Sequence, residues 1–279
     1  MSQSGAQEIQ DYIRNTYSSR TLPTLLGKIL EVVRDEGSSP QDLFNLISHD
    51  QVLAERVIRM ANSAFFGHSG KVKGLPHAVM FLGYERIRVI ALAMGVMDVF
   101  SGKGFAEVRD LWIHGYEVAY ISATISDTIS VASPDEAFLA GLVHDIGRVI
   151  FFEKDRKLFS QIGTGDDDNM LATEEELFGC NHAEAGAWYA RNAGIPEEIV
   201  HAIEHHHHPS AASENHLLVS IVSIGEALSR SFNPRVVDDG FWTGEHNAIM
   251  LELSIDDERK KLIREKLQNL EKDTQEFFM

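Results

Sequence analysis

Val143-His144-Asp145-Ile146-Gly147 sits inside an apolar run, with Ala137 to Leu142 before it and Val149 to Phe152 after it. A carboxylate buried in such surroundings is costly unless it is paired or bound to a cation. Any fold that buries this run must therefore deliver polar partners to Asp145 from elsewhere in the chain.

The surrounding pattern is helical. Leu25, Leu26, Ile29, Val32 and Val33 recur at helical spacing, as do Leu43, Phe44, Leu46 and Ile47, and then Val52 to Met60. Ser39-Pro40 and Ser133-Pro134 read as helix starts. Leu75 to Phe100 reads as one or two buried helices with a break near Leu82-Gly83, and Phe105 to Ser130 as a helix containing His114. One helix opening at Pro134 is expected to carry both His144 and Asp145. Gly163 to Asn169 reads as a loop and Phe232 to Asn247 as irregular. A last charged helix should turn Leu262, Ile263, Leu267 and Leu270 inward. No stretch alternates long enough to suggest a sheet, so the expected class is all-α. Boundaries are expected to give a leading segment at 1–19, a helical unit at 20–104, a second at 105–232 and a C-terminal segment at 233–279.

Composition narrows the function. The chain has 279 residues, 44% of them hydrophobic, enough for a large core. Its net charge of −17 repels nucleic acid and anionic membranes, so neither is an expected partner. The most apolar stretch, Val89 to Met97, falls short of the roughly 20 residues a bilayer span needs. The single cysteine, Cys180, excludes an internal disulfide and suits a reducing compartment; near His182 it reads as a packed thiol. The first residues lack the basic-then-apolar pattern of a signal peptide, so a cytoplasmic location is expected.

Histidine carries the chemistry, with 13 copies. Four places fall within or at the ends of the expected helices: His114, His144 with Asp145, His182, and the run His205 to His208. Imidazole and carboxylate together suit zinc, iron, manganese and nickel. A helical bundle can collect such ligands from several helices onto one centre. Taken singly, each has a plainer reading: His114 as a core or surface residue, His182 as part of a helix start, the tetrad as a solvated helix end. His246 reads as bland.

The ordered set His114, His144-Asp145, His182 and His206-His207 resembles the HD and HD-GYP metal-dependent phosphohydrolases. It is still more similar to the HDOD family, the HD-related output domain of bacterial signalling proteins. The motifs that carry the likeness are Leu22-Pro23-Thr24, Leu43 to Ser48 with Asp50, Ala61 to Gly67, Ala78 to Gly83, and Ala137 to Gly147. They continue with Phe178-Gly179, His182 to Gly186, Gly194-Ile195-Pro196 and Ala202-Ile203-Glu204. The resemblance implies an N-terminal helical unit packed on an HD-like helical unit. It also implies one or two transition-metal ions, iron foremost with manganese, zinc or nickel as alternatives, on His114, His144, Asp145, His182, His206 and His207. Asp145 would be the bridging carboxylate on which any catalysis depends.

Two departures count against hydrolysis. The family's last ligand, an aspartate on a late helix, should fall near Ser223-Ile224-Gly225, where Gly225 stands. The GYP loop is replaced by Pro209-Ser210-Ala211-Ala212-Ser213. Losing the aspartate would leave the first metal position three protein ligands. Arg148, where the family often has lysine, or Lys71 would meet a phosphate. The resulting expectation is a regulatory, weakly catalytic or non-catalytic signalling domain with a retained metal site, partnered by other signalling proteins and by a nucleotide or phosphate ligand. The alternatives are a phosphohydrolase acting on a nucleotide or cyclic dinucleotide, and a metal-free polar core.

Overall fold

A computed structural model of the chain describes residues 2–17, 24–35, 37–63, 72–100, 105–162, 167–232 and 242–278. Among them every regular element is helical. In chain order these are α1 (Ser2–Thr16), α2 (Thr24–Arg34), α3 (Pro40–Ser48), α4 (Gln51–Ala61), α5 (Leu75–Val99) and α6 (Phe105–Ile129). Then come α7 (Pro134–Val143), α8 (Ile146–Lys154), α9 (Arg156–Phe159), α10 (Asp167–Phe178), α11 (His182–Ala193) and α12 (Glu197–His205). A 3-10 turn at Pro209–Ala211 leads to α13 (His216–Phe232), α14 (Gly244–Glu252), α15 (Asp257–Lys266) and α16 (Leu270–Phe278). The chain is all-α. Among the described residues no helix is long and apolar enough to cross a membrane.

Two compact units divide the chain: residues 1–20 with 106–267, and residues 21–105 with 268–279. In the second, α2, α3 and α4 pack on α5 through Leu26, Ile29, Leu43, Ile47, Val57 and Met60. Helix α5 is kinked at Gly83, whose φ of 78° lies in the left-handed region that glycine tolerates. Asn62 clamps the chain beyond α4: its amide donates to Val72 O at 2.9 Å, and its oxygen accepts from Val72 N at 3.0 Å. That double bond gives a physical role to one hallmark residue. Leu22-Pro23, Ala64 to Gly67 and Lys71 lie outside the described residues.

The other unit holds the histidines. Helix α6 crosses α7 at backbone distance. A Cβ on Gly115 would lie 2.6 Å from Leu142 O, and one on Gly141 would lie 2.7 Å from Ala119 Cα. This crossing sets His114 beside His144. Helices α8 and α11 meet more closely still, at Gly147 and the carbonyl of His182. Helix α11 ends on left-handed Gly194 (φ 74°), with Ile195 N bonded to Ala190 O, and α12 turns back along it. Helix α1 packs on α10 and α11. Tyr17 donates to Glu153 at 2.5 Å, and Asn192 donates to Tyr17 O at 2.7 Å.

Four expectations need correction. The helix opening at Pro134 does not run through the His-Asp pair: α7 ends at Val143, His144 is its C-cap, and Asp145 precedes α8 with φ −93° and ψ 15°. Helix α10 starts at Asp167, inside the expected loop, whose residues 163–166 lie outside the described set. Helix α14 starts at Gly244, inside the stretch read as irregular, because Thr243 and His246 cap it reciprocally; residues 233–241 lie outside the described set. The last charged stretch is two helices rather than one. In it Ile263, Leu267 and Leu270 are buried, but Leu262 is 43% exposed.

The glycine contacts set up opposite outcomes. A Cβ on Gly147 would lie 1.9 Å from His182 O, so Gly147→Ala must move backbone and should cost about 3 kcal/mol, the upper part of the overpacking range. Nothing lies within 4 Å of a Cβ on Gly27 in α2, so Gly27→Ala should add about 0.5–1 kcal/mol. Denaturant midpoints of the two variants should move in opposite directions.

Candidate metal centre

The split between α7 and α8 allows His144 and Asp145 to reach one centre. His144 is wholly buried and Asp145 is 5% exposed. His144 Nδ1 donates to Gly141 O at 2.7 Å, which leaves Nε2 facing the centre. There it lies 3.5 Å from Asp145 Oδ1 and 3.0 Å from Glu226 Oε2.

His182 opens α11, whose start is fixed by a capping box between Asn181 and Glu184. Glu174 on α10, wholly buried, accepts both from the backbone N–H of His182 at 2.8 Å and from its Nδ1 at 2.7 Å. This doubly anchored ring points Nε2 at Asp145 Oδ1, 3.1 Å away. His206 caps α12, and its Nδ1 donates to Ile203 O at 2.8 Å. Its Nε2 comes within 3.4 Å of His182 Nε2 and 3.7 Å of Asp145 Oδ1. His207 Nε2 lies 2.9 Å from His182 Nε2.

Four donor atoms, from Asp145, His182, His206 and His207, thus lie within 4.8 Å of one another; so do donors from His114, His144 and Asp145. Every residue expected to be a ligand falls in one of these groups, and Asp145 falls in both. Of the histidine tetrad only the inner two take part. His205 lies 3.9 Å from Glu204, and His208 is exposed.

Arg148, expected at a phosphate, is 16% exposed and lies 3.5 Å from Asp145 Oδ2 and 3.9 Å from Glu174 Oε1. Its charge already faces two carboxylates.

The donors fit a cation. With Nδ1 used as a donor, neutral His144, His182 and His206 each carry an Nε2 lone pair, and these face one another and a carboxylate. Ring orientation set by an outer hydrogen bond on the far nitrogen is the usual arrangement around metal-bound histidine. Both oxygens of Asp145 and Nε2 of His144 are buried without a hydrogen bond of good geometry.

Electrostatics compensates with protons. Burial opposes charge on His182, but Glu174 and Asp145 outweigh it and push its pKa up to about 10. Burial likewise opposes charge on His144, and Asp145 with Glu226 raises it. Against burial, His144 and His182 hold Asp145 ionised, well below the ordinary carboxylate range. His206 is pushed down to about 3 by burial and by the neighbouring imidazoles, and His207 is depressed for the same reasons.

Two functional residues escaped the sequence reading. Glu174 stands in Glu174-Glu175-Glu176, which reads as a solvated helix start; only its eight-residue separation from His182 hints at a role. Glu226 directly follows Gly225, the position expected to hold an acid. A Cβ on Gly225 would lie 2.3 Å from Ser122 Oγ of α6, so that position cannot carry an aspartate without a shift. The next side chain reaches the centre instead. Glu226 is 3% exposed, with Oε2 at 2.7 Å from His114 Nε2. The carboxylate expected to be missing from this helix is present one residue later.

The HDOD domain family matches residues 20–209, about two thirds of the chain. The chain belongs to the HDOD family. A Treponema pallidum relative of uncharacterised function is 25% identical over 217 residues, which cover 75% of this chain and 42% of the relative; the chain thus spans less than half of that curated relative's length. An HDOD domain protein of unknown function from Geobacter sulfurreducens shares the fold with a TM-score of 0.76 and 23% identity, covering 99% of this chain and 97% of its own. A phosphohydrolase candidate from Shewanella amazonensis SB2B superposes with a TM-score of 0.76 at 25% identity, covering 100% and 98%.

Removing Glu174 leaves a buried imidazole and its backbone N–H without their acceptor. Glu174→Ala should therefore cost about 3–5 kcal/mol in denaturant unfolding, and Glu174→Gln, which keeps an acceptor, distinctly less. Cys180, 2% exposed, has its thiol pushed up by burial and then by Glu184, Glu174 and Glu175. It should resist alkylation in the native protein and react only after denaturation, as mass spectrometry would read.

Proposed function

We propose that this HDOD protein is a metal-loaded bacterial signalling domain whose centre recognises a phosphate ester. The observation that carries the reading is the convergence of Asp145, His182, His206 and His207, with His114 and His144 beside them. These residues would hold one or two transition-metal ions, and the imidazole-rich, carboxylate-bridged set suits iron, with manganese, zinc or nickel as alternatives. When bound, such ions supply Lewis acidity toward a phosphoryl oxygen.

The protein's own part is positioning. Asp145 stands between the two groups of donors. Gly141 O, Glu174 and Ile203 O fix the three buried rings, so donor geometry is set before any ligand arrives. Arg148 occupies a partly exposed edge, where a phosphate oxygen could be met once Asp145 is otherwise engaged. Its partners in the cell are other signalling proteins and a nucleotide or phosphate ligand.

A second reading is turnover: phosphodiester hydrolysis on a nucleotide or cyclic dinucleotide. One observation favours it. The helix that should have lost its acid presents Glu226 to His114 and His144, so the departure that argued against hydrolysis is smaller than the sequence suggests.

Protein purified without chelator should contain one or two equivalents of transition metal by elemental analysis, and Asp145→Ala should lose most of it. Protein that takes up no metal under any supply would sink the proposal. Phosphodiesterase assays across nucleotides with iron or manganese separate the two readings: metal without turnover supports the regulatory one, and turnover abolished by Asp145→Ala replaces it with the hydrolase.

A further inference from the structure

Helix α13 brings a carboxylate to the histidines one residue past the position where the family's pattern expects its acid. Three atoms meet: Glu226 Oε2, His114 Nε2 at 2.7 Å and His144 Nε2 at 3.0 Å. The outer nitrogens of both rings are engaged elsewhere. His144 Nδ1 donates to Gly141 O. His114 Nδ1 faces Ser229 Oγ at 3.3 Å, and the hydroxyl proton of Ser229 goes to Glu117 at 3.2 Å. His114 Nε2 is in hydrogen-bond contact with Glu226 Oε2, and His144 Nε2 faces the same oxygen. His144 Nε2 makes no hydrogen bond of good angle despite the short distance. Buried His144 Nε2, both Asp145 oxygens and the Glu226 carboxylate thus crowd one nearly dry site, an arrangement a cation would relieve.

Resting on the metal reading above, we propose that Glu226 is the carboxylate ligand of the first metal position, completing His114, His144 and Asp145. It stands in for the aspartate one residue earlier. A Cβ on Gly225 would meet Ser122 Oγ at 2.3 Å, whereas the longer glutamate side chain, turned about 100° around the helix, spans the extra distance to the histidines. A buried glutamate serving only as counter-charge to two imidazoles is the competing role. The two roles differ in one respect: a counter-charge matters to folding, whereas a ligand determines how many ions are held.

The test is metal stoichiometry in full-length protein, loaded anaerobically with manganese(II), desalted and analysed by elemental analysis and electron paramagnetic resonance. Circular dichroism melting reports folding. Wild type should hold two ions with the signal of a coupled pair. E226Q, nearly isosteric, should hold one ion with an uncoupled signal. E226D, which withdraws the carboxylate by a methylene, should bind the first ion at least tenfold more weakly; if E226Q fails to fold, E226D decides. Two ions retained in E226Q, wild-type affinity in E226D, or a single ion in wild type and E226Q alike would overturn the role of Glu226 and leave the metal reading standing. No metal in wild type would overturn both.

Discussion

The centre depends on one arrangement: rings whose outer nitrogens are spent on acceptors behind them. Gly141 O, Ile203 O and Glu174 each take an Nδ1 proton, and the inner nitrogens have nothing left to do but face Asp145. Two of these acceptors are carbonyls three residues upstream in the same helical segment, so α7 and α12 orient their own terminal histidines. The third comes from another helix. Because His144 and His206 are both helix C-caps, each ring leaves its helix where the backbone no longer continues and can swing inward. Helix ends carry His144, Asp145, His182 and His206, while His114 and Glu226 come from within α6 and α13.

Close backbone contact holds those ends together. Gly115 and Gly141 let α6 and α7 cross without intervening side chains, and Gly147 lets α8 rest on the first residue of α11. Each of these glycines lies within three residues of a proposed ligand. Spacing at the centre is therefore set by backbone thickness, which cannot repack, rather than by side chains, which can. The cost is intolerance: a single methyl at these positions displaces a helix.

Much of this was legible in the residues. Periodicity of 3.6 with no alternation carried the all-α class, and the order of His114, His144-Asp145, His182 and His206-His207 carried the family. Three things were not legible, each for a physical reason. The break at His144 was invisible because both residues of the pair are acceptable inside a helix and no proline or turn motif marks it. Glu226 was missed because pattern matching expects an acid in one register, and the crowding of Gly225 by Ser122 comes from a residue about a hundred positions away. Glu174 was hidden in a run of three acids, of which only burial distinguishes the one that is used. Leu262 erred the other way: helical spacing marked it as core, yet it lies on the outer side of α15.

The two hydrogen bonds from His182 to Glu174 carry a mechanical consequence. One carboxylate oxygen grips both the ring and the backbone at the start of α11, so α10 and that ligand ring move as one body. Helix α1 lies on α10 and α11, with Gly5 and Gly179 so close that neither admits a side chain. Through two contacts, α1 is thus joined to the ring of a proposed ligand, so a displacement of the first helix would have no compliant side chain to absorb it before the centre.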